Sequence, residues 1–235
     1  MKQARILVAS VALVAAFPAV AGDFSSTITA TTDYMWRGVT QTAHDPAIQA
    51  SLDFAADNGL YVGAWASNVD FGNCCNESAE LDLYGGWSGG PEDGVQWDVG
   101  GLYYAYPGAS DLDFPEVYAG LSYGMFSAKV HYSWDFFALK KSAYYIEGNS
   151  SVPLPKDFGL ALHVGYSGGD AMDIPGAGLQ SYMDWSVGVT KTLGKFDLQL
   201  AWVDGSDYGM ADGTPGGVLS SAPRAVFSIS TKVPW

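Results

Sequence analysis

The chain has 235 residues, of which 15% are charged, and its formal net charge is −14 at pH 7. Such an acidic chain offers no basic patch that could replace the counterions of nucleic acid, which argues against a nucleic-acid partner. Glycine and aromatic residues are abundant, with 29 Gly, 14 Tyr and 8 Trp, and this composition suits tightly turned strands with aromatic girdles.

The N-terminal segment is typical of a secretory signal peptide. Lys2 and Arg5 precede an apolar run over residues 6–17, and Ala19-Val20-Ala21 forms an A-x-A cleavage site. We therefore expect residues 1–21 to be the signal peptide and residues 22–235 to form one outer-membrane β-barrel domain. After Ala21 no apolar run approaches the ~20 residues that a membrane-spanning helix needs.

Alternation of apolar and polar residues with a period of two predicts about twelve strands along the remaining chain. In the clearest case Ile48, Leu52 and Phe54 lie on one face, and Gln49 and Asp53 lie on the other. The predicted strands lie near residues 24–36, 48–54, 60–70, 80–84, 95–103, 117–123, 126–133, 142–152, 160–166, 183–189, 196–202 and 224–235.

The connections between these strands alternate in length. Short turns are predicted near residues 57–59, 88–94, 124–125, 153–157 and 191–194. Long loops are predicted near residues 38–47, 71–79, 106–115, 134–141, 167–180 and 205–223. Strict alternation with an even strand count is typical of bacterial outer-membrane barrels, whereas the alternative, a soluble sandwich, has no reason to sort its loops by length. The predicted fold is all-β, an antiparallel up-and-down transmembrane β-barrel of about 12 strands.

The last predicted strand carries Phe227, Ile229, Val233 and Trp235 on its apolar face. We expect this strand to close the barrel against the first one, with Trp235 in an interfacial aromatic girdle. Trp235 is also expected to be needed for insertion by the barrel-assembly machinery.

The segment Asp33-Tyr34-Met35-Trp36-Arg37-Gly38-Val39-Thr40-Gln41 resembles the DYxxRG-x-[ST]-Q signature of the TorF family of porin-like proteins. The resemblance continues through residues 45–49, 59–69 and 80–86, and beyond residue 90 it extends only to length and strand rhythm. It implies an outer-membrane barrel, and less directly a role in transport. The adjacent Cys74 and Cys75 depart from the family pattern.

The polar faces of the strands supply the candidate pore-lining residues. Acids outnumber lysines and arginines on these faces by about two to one, and such a surplus favours cations or neutral solutes over anions. The alternative is that the charges simply pair within a hydrated lumen. The candidates for pore lining and selectivity are Arg37, Asp53, Glu80, Asp82, Asp98, Glu116, Lys129, Asp184 and Asp197.

Arg37 is singled out because it lies where the first strand meets its long loop. Its fork of donors is expected to clamp carboxylates across neighbouring strands, from Asp33, Asp53, Glu80 and Asp82, and so to fix the first loop. Selection of solute by the same arginine is the alternative.

Other chemistry receives less support from the sequence. His131 and Ser133 share one strand face and could act as base and nucleophile of a barrel lipid hydrolase. The three histidines show no metal-ligand spacing, so we predict neither a metal nor a cofactor. Cys74 and Cys75 lie in a long loop and could form a vicinal disulfide, remain free thiols or bridge to another chain.

The sequence therefore predicts a porin-like channel for passive diffusion of small hydrophilic solutes, weakly cation-preferring and not an enzyme, in the outer membrane of a Gram-negative bacterium. Expected partners are outer-membrane lipid and lipopolysaccharide, the barrel-assembly machinery and small solutes, with no nucleic acid. The alternative is a non-conducting structural or surface-binding barrel, and the lipid hydrolase is third.

Overall fold

The computed structural model describes residues 21–72, 76–173, 180–206 and 217–233. Residues 1–20 of the predicted signal peptide, Cys74, Cys75 and Trp235 lie outside this part of the chain. Twelve antiparallel strands form one closed barrel, and two very short strands form a separate hairpin. The predicted fold class, an all-β antiparallel barrel of about twelve strands, is confirmed.

The strands follow the chain in order. They are β1 (Gly22–Thr31), β2 (Met35–Trp36), β3 (Val39–Thr40), β4 (Ala47–Ala56), β5 (Leu60–Asn68), β6 (Ala79–Gly89), β7 (Gln96–Ala105), β8 (Phe114–Tyr123), β9 (Phe126–Ser133), β10 (Ala143–Leu154), β11 (Phe158–Gly168), β12 (Tyr182–Leu193), β13 (Phe196–Gly205) and β14 (Arg224–Val233). Single 3-10 turns in the described parts of the long loops include Ser110–Leu112, Phe136–Ala138 and Asp170–Met172.

Neighbours in sequence are neighbours in the barrel wall, from β4 through to β14, and β1 closes the ring between β14 and β4. At the closure Ile229 lies opposite Ala30 and Val233 lies opposite Ser26. The connections alternate in length as expected, which gives the barrel a turn end and a loop end. The described residues contain no helix that is long and apolar enough to cross a membrane.

The two faces of each strand are distributed as the alternation predicts. Large apolar side chains lie exposed on the outer surface, for example Leu52, Val99, Leu200 and Phe227. The polar faces point into the barrel. Because the outer surface is apolar and the interior is polar, the molecule is built opposite to a soluble barrel of this size.

The first strand is shorter than predicted. It ends at Thr31 rather than near Trp36, and the segment that follows turns back as the hairpin β2–β3. This hairpin does not join the barrel wall. It folds into the loop end, where Thr40, Gln41 and Thr42 are each at most 2% exposed.

The hydrophobic core of the molecule sits at the loop end, around this hairpin. Tyr34 and Val39 of the hairpin segment belong to a cluster of buried residues that comes from several long loops and strand ends. The other buried members are Ala47, Val69, Phe71, Tyr104, Tyr106, Phe114, Phe136, Ala143, Ala171, Met172 and Tyr182. The cluster anchors the hairpin and packs across this end of the barrel.

Candidate functional site

A cavity of about 610 Å³ lies inside the barrel beneath the hairpin. The tip of the hairpin forms its roof through Trp36, Arg37 and Gly38. One wall is charged and comes mainly from β9–β12, and the opposite wall is neutral and comes mainly from β1, β4, β13 and β14. We take this cavity as the candidate functional site.

The roof is shaped by a two-residue turn at the hairpin tip. Arg37 and Gly38 both have positive φ, 50° and 77°, which is typical of the tight turns that join antiparallel strands. A Cβ at Gly38 would lie 2.5 Å from Cβ of Asp184 on β12. Glycine is therefore required here both for the backbone conformation and for the close approach to the barrel wall.

Arg37 is directed from the turn into the barrel interior. Its Nη2 lies 2.6 Å from Oε2 of Glu116 on β8, and its Cζ lies 4.3 Å from the ring centroid of Trp36 and 4.5 Å from that of Tyr145. Burial alone would lower the pKa of Arg37, but the charge of Glu116 outweighs it and raises that pKa above its usual value. Arg37 therefore stays cationic and fixes the hairpin to the far wall.

Glu116 begins a row of alternating carboxylates and imidazoles that crosses five adjacent strands. We call Glu116, His131, Glu147, His163 and Asp184 the acid–histidine row. Its successive contacts measure 2.8 Å from Glu116 Oε1 to His131 Nδ1, 3.2 Å from His131 Nε2 to Glu147 Oε1, 3.7 Å from Glu147 Oε2 to His163 Nδ1, and 2.8 Å from His163 Nε2 to Asp184 Oδ1. The carboxylates of the charged wall are thus paired with cations or imidazoles along its length.

Tyr145 connects the end of this row to the roof. Its hydroxyl donates to Asp184 at 3.1 Å and lies 2.9 Å from His163 Nε2. The tyrosine can cross the neighbouring strand because position 165 is glycine, where a Cβ would lie 2.0 Å from the tyrosine oxygen. The same ring carries Arg37 on its face, so charge pairing and hairpin docking are coupled through one side chain.

The base of the hairpin is held by a second ion pair. Arg224 Nη1 on β14 lies 2.8 Å from Asp33 Oδ2. The other oxygen of Asp33 accepts hydrogen bonds from the hydroxyls of Thr40 at 2.5 Å and Thr42 at 3.1 Å. Asp33 therefore joins the two sides of the hairpin to the closing strand of the barrel.

Two buried acids lie beside the hairpin on β6. The hydroxyl of Tyr34 donates to Glu80 at 3.2 Å, and Glu80 also contacts Asp82. Asp82 Oδ1 has no hydrogen-bond partner among the described residues. Burial raises the pKa of Tyr34, and the nearby carboxylates of Glu80 and Asp82 raise it further, so this hydroxyl remains a hydrogen-bond donor.

A second polar cluster lies towards the turn end. The hydroxyl of Tyr61 donates to Asp98 at 2.5 Å and contacts that of Tyr118. Lys129 lies 2.8 Å from the other oxygen of Asp98 and 4.5 Å from the ring of Tyr118. Most charged groups of the lumen are therefore satisfied within the protein.

The structure places the nine candidate pore-lining residues on two kinds of element. Arg37 enters the lumen from the hairpin, and the other eight lie on the inward faces of strands. Asp53 is held by the hydroxyls of Tyr84 and Ser51, and Asp197 accepts from Thr192 at 2.7 Å near the turn end. Asp184 and Arg37 line the main cavity directly.

The expected clamp of Arg37 forms with a different partner. Glu116 pairs with Arg37, whereas Asp33 pairs with Arg224, Asp53 with Tyr84, and Glu80 with Tyr34. The carboxylates expected as partners of Arg37 come from segments close to it in the chain. The hairpin instead carries it across the lumen to β8.

The proposed hydrolase pair is not assembled. Both ring nitrogens of His131 face carboxylates, those of Glu116 and Glu147, and neither is directed at Ser133. Ser133 is only 1% exposed, and its hydroxyl accepts from the backbone of Asp135. Within the described residues, no group of three or more His, Cys, Asp or Glu is arranged to hold a metal ion.

Sequence reasoning missed the main architecture of the site. The alternation of each strand puts His131, Glu147 and His163 on inward faces, but it does not predict that these side chains meet in one row. Part of the signal was available, because the two-residue turn after β8 fixes the pairing of β8 with β9 and so places His131 opposite Tyr118. The long loops fix no such register.

Solved structures with the same fold are known. The chain is similar to the KdgM porin, with 7% identity, a TM-score of 0.54 and coverage of 90% of this chain and 99% of that one. It is also similar to the NanC porin, with 10% identity, a TM-score of 0.58 and coverage of 89% and 100%. At such low identity these likenesses concern the fold alone.

Sequence comparison places the chain in one family. No curated protein matches it. Residues 15–232 match the family described as "Bacterial protein of unknown function (Gcw_chp)", a match that does not carry the TorF name. The match spans almost the whole chain, and the protein therefore belongs to the Gcw_chp family.

Proposed function

We propose that this protein is an outer-membrane porin-like channel through which small hydrophilic solutes diffuse passively. The observation that carries the proposal is a closed twelve-stranded barrel with an apolar outer surface and a polar cavity inside. A closed barrel leaves no strand edge unpaired, which is what a β-structure in hydrocarbon requires. The likeness to the KdgM and NanC porins and the resemblance to the TorF family support the same function.

The orientation follows from the unequal ends of the barrel. In outer-membrane barrels the short turns face the periplasm and the longer loops face outwards. We therefore place the hairpin and the aromatic cluster at the cell surface, in contact with lipopolysaccharide, and the turn end in the periplasm of a Gram-negative cell. Export by a cleaved signal peptide and folding by the barrel-assembly machinery belong to this proposal.

The charge of the lumen sets the class of solute. Inward carboxylates exceed inward lysines and arginines, and an excess of one sign in a narrow, low-dielectric conduit repels ions of that sign. KdgM has been solved in complex with disordered oligogalacturonate, whose sugars carry carboxylates. The acidic lumen argues against this class of ligand here and favours cations and neutral solutes.

A non-conducting structural barrel is the second candidate function. The observation that favours it is the buried hairpin, which is anchored at the loop end by two ion pairs and by the aromatic cluster. In this alternative the acidic loops bind the cell surface and the lumen is plugged. The two functions differ in one measurable property, the permeability of the intact barrel.

Swelling of proteoliposomes tests the proposal. Vesicles that contain the refolded protein are diluted into iso-osmotic solutions of a neutral sugar, and entry of the sugar causes swelling that lowers the turbidity. We expect swelling that is faster for arabinose than for a tetrasaccharide, because the cavity is narrow. Rates equal to those of protein-free vesicles for every solute would favour the plugged barrel.

A further inference from the structure

We propose that the cavity beneath the hairpin is a binding site for small neutral, polyhydroxylated solutes such as short saccharides. The contact surface is the neutral wall opposite the acid–histidine row. This inference names the solute class of the proposed channel and so rests on the proposed function. It is tested below by binding, which does not depend on conduction.

Five neutral polar side chains of this wall, together with Ser186 on the adjacent strand β12, form a set that we call the neutral row. They are Thr29, Gln49, Ser186, Gln199, Ser228 and Ser230, and all six line the cavity. None of the six forms a side-chain hydrogen bond with another described residue. The described charged groups that line the same cavity, in contrast, have partners within the protein.

The strand register makes part of the row continuous. Ser230 lies opposite Thr29, and Thr29 lies opposite Gln49, so three strands present these side chains at one level. Gln199 lies opposite Ser228 on the next pair of strands. Directly opposed side chains have Cβ atoms about 4.5–5.5 Å apart, so adjacent strands present a closely spaced series of hydrogen-bonding groups along the wall.

The charged wall leaves little capacity for an ionic ligand. Asp184 already accepts hydrogen bonds from Tyr145 and faces His163, and Glu147 faces His131 and accepts from Asn149 at 3.2 Å. A cationic ligand would have to displace these contacts. Hydroxyls and amides with no protein partner instead match a ligand that both donates and accepts hydrogen bonds.

The size and the remaining lining agree with such a ligand. A volume of about 610 Å³ lies within the range of ~300–1,000 Å³ that is typical of small-molecule pockets. Trp36 and Trp65 also line the cavity, and aromatic rings supply apolar surface for the C–H face of a sugar. Amide, hydroxyl and aromatic groups together favour a neutral saccharide over a simple ion.

Isothermal titration of the purified full-length protein in detergent tests the inference. Three trisaccharides of similar size are used as probes: maltotriose, which is neutral, trigalacturonate, which is anionic, and the trimer of glucosamine, which is cationic. We expect heat of binding from maltotriose. Gln49→Ala combined with Gln199→Ala should weaken this binding roughly 25-fold, since each of the two lost hydrogen bonds contributes roughly a 5-fold change in affinity.

The matched control is Gln96→Ala. Gln96 lies on β7 away from this cavity, and its amide is already bonded to the carbonyl of Pro91 at 2.7 Å, so maltotriose affinity should not change.

The inference is overturned if maltotriose does not bind, if the glutamine variants bind it as well as the native protein does, or if the glucosamine trimer binds more tightly. Absence of binding in a protein that conducts ions would remove this inference and leave the proposed function standing. Binding of maltotriose by a protein that does not conduct ions would support the binding site and contradict the proposed channel function.

Discussion

Arg37 shows how much of the site depends on single side chains. Its guanidinium lies between two aromatic rings and pairs with a carboxylate that is itself buried, Glu116 at 1% side-chain exposure. Removing one member of such a pair leaves the other charge buried in the protein, which costs far more than loss of an exposed pair. The pair therefore fixes the hairpin in one position.

The first prediction concerns this pair. Arg37→Met should lower the free energy of unfolding by roughly 3–5 kcal/mol, and adding Glu116→Gln should restore part of the loss because the unpaired charge is gone. Urea titration in lipid vesicles measures both. The control is Lys191→Met. Lys191 lies 3.5 Å from Asp157, whose side chain is exposed, so loss of this ion pair should lower the free energy of unfolding by only about 0–1 kcal/mol. Equal losses in Arg37→Met and in the control would contradict the clamp.

Gly38 provides the second prediction. Gly38→Ala should destabilise the protein both through its positive φ and through contact with Asp184. Gly124→Ala is the matched control, since Gly124 also has positive φ, 58°, and a Cβ there would meet nothing within 4 Å. The control should lose about 1–2 kcal/mol, and Gly38→Ala should lose more. Denaturant titrations that give the same loss for both would show that the hairpin does not press against β12.

The residues of the site were predictable by type but not by partner. Alternation placed Glu116, His131 and Asp184 on inward faces because side-chain direction depends only on parity along a strand. Which inward residues meet depends on register and on the path of the long loops. Arg37 reaches β8 only because the hairpin leaves the wall, and no local pattern encodes that departure.

At the scale of elements, the hairpin β2–β3 is the part that sequence reasoning assigned wrongly. In the segment that contains Tyr34 and Trp36, aromatic residues alternate with other residues. Its period of two therefore resembles that of a strand in the barrel wall. The wall strand ends at Thr31, and the positive φ at Arg37 and Gly38 then reverses the chain direction. The segment then pairs with itself, and the aromatic cluster rather than the barrel wall buries its side chains.

The third prediction tests the hairpin as an element. Replacing residues 34–41 with a short glycine–serine linker should raise single-channel conductance, because the roof of the cavity is removed. The control is the same replacement of residues 107–112, which belong to a long loop but do not line the cavity. Equal conductance in the two variants would show that the hairpin does not limit passage.

The strands themselves were predicted well because each carries its two faces in its own sequence. The fourth prediction uses this division. Arginine at Leu52, Val187 or Leu200 should cost roughly 2–4 kcal/mol near the membrane midplane, since these side chains are exposed on the outer surface. Arginine at Ser51 or Gln199, on the inner face, should cost much less. A refolding titration in lipid that found the two sets equal would contradict the assignment of faces.

At the scale of the whole molecule, the lumen combines paired charges with a net acidic surplus. Pairing governs which groups a bound solute can contact, and the surplus governs which mobile ions collect in the lumen. The surplus of carboxylates could be predicted from the sequence, because the alternation along each strand shows which residues face inwards. The pairing was not, since it needs the positions of all twelve strands at once.

The fifth prediction concerns ion selectivity. Under a KCl gradient across the bilayer, the sign of the reversal potential should indicate a weak preference for cations. This preference should weaken as the salt concentration rises, because the screening length is only about 10 Å at 0.1 M. Glu147→Gln with Asp98→Asn should reduce it, whereas Asp57→Asn in an exposed turn should not. Anion preference in the native channel would contradict the charge argument.

The central claim is that this barrel is a channel, and planar-bilayer recording of the refolded native protein tests it most directly. The claim predicts discrete, reproducible conductance steps that are small for a porin, because the hairpin narrows the lumen, and that grow when residues 34–41 are replaced. A native protein that inserts into the bilayer yet passes no current, with or without its hairpin, would contradict the claim and identify a structural barrel.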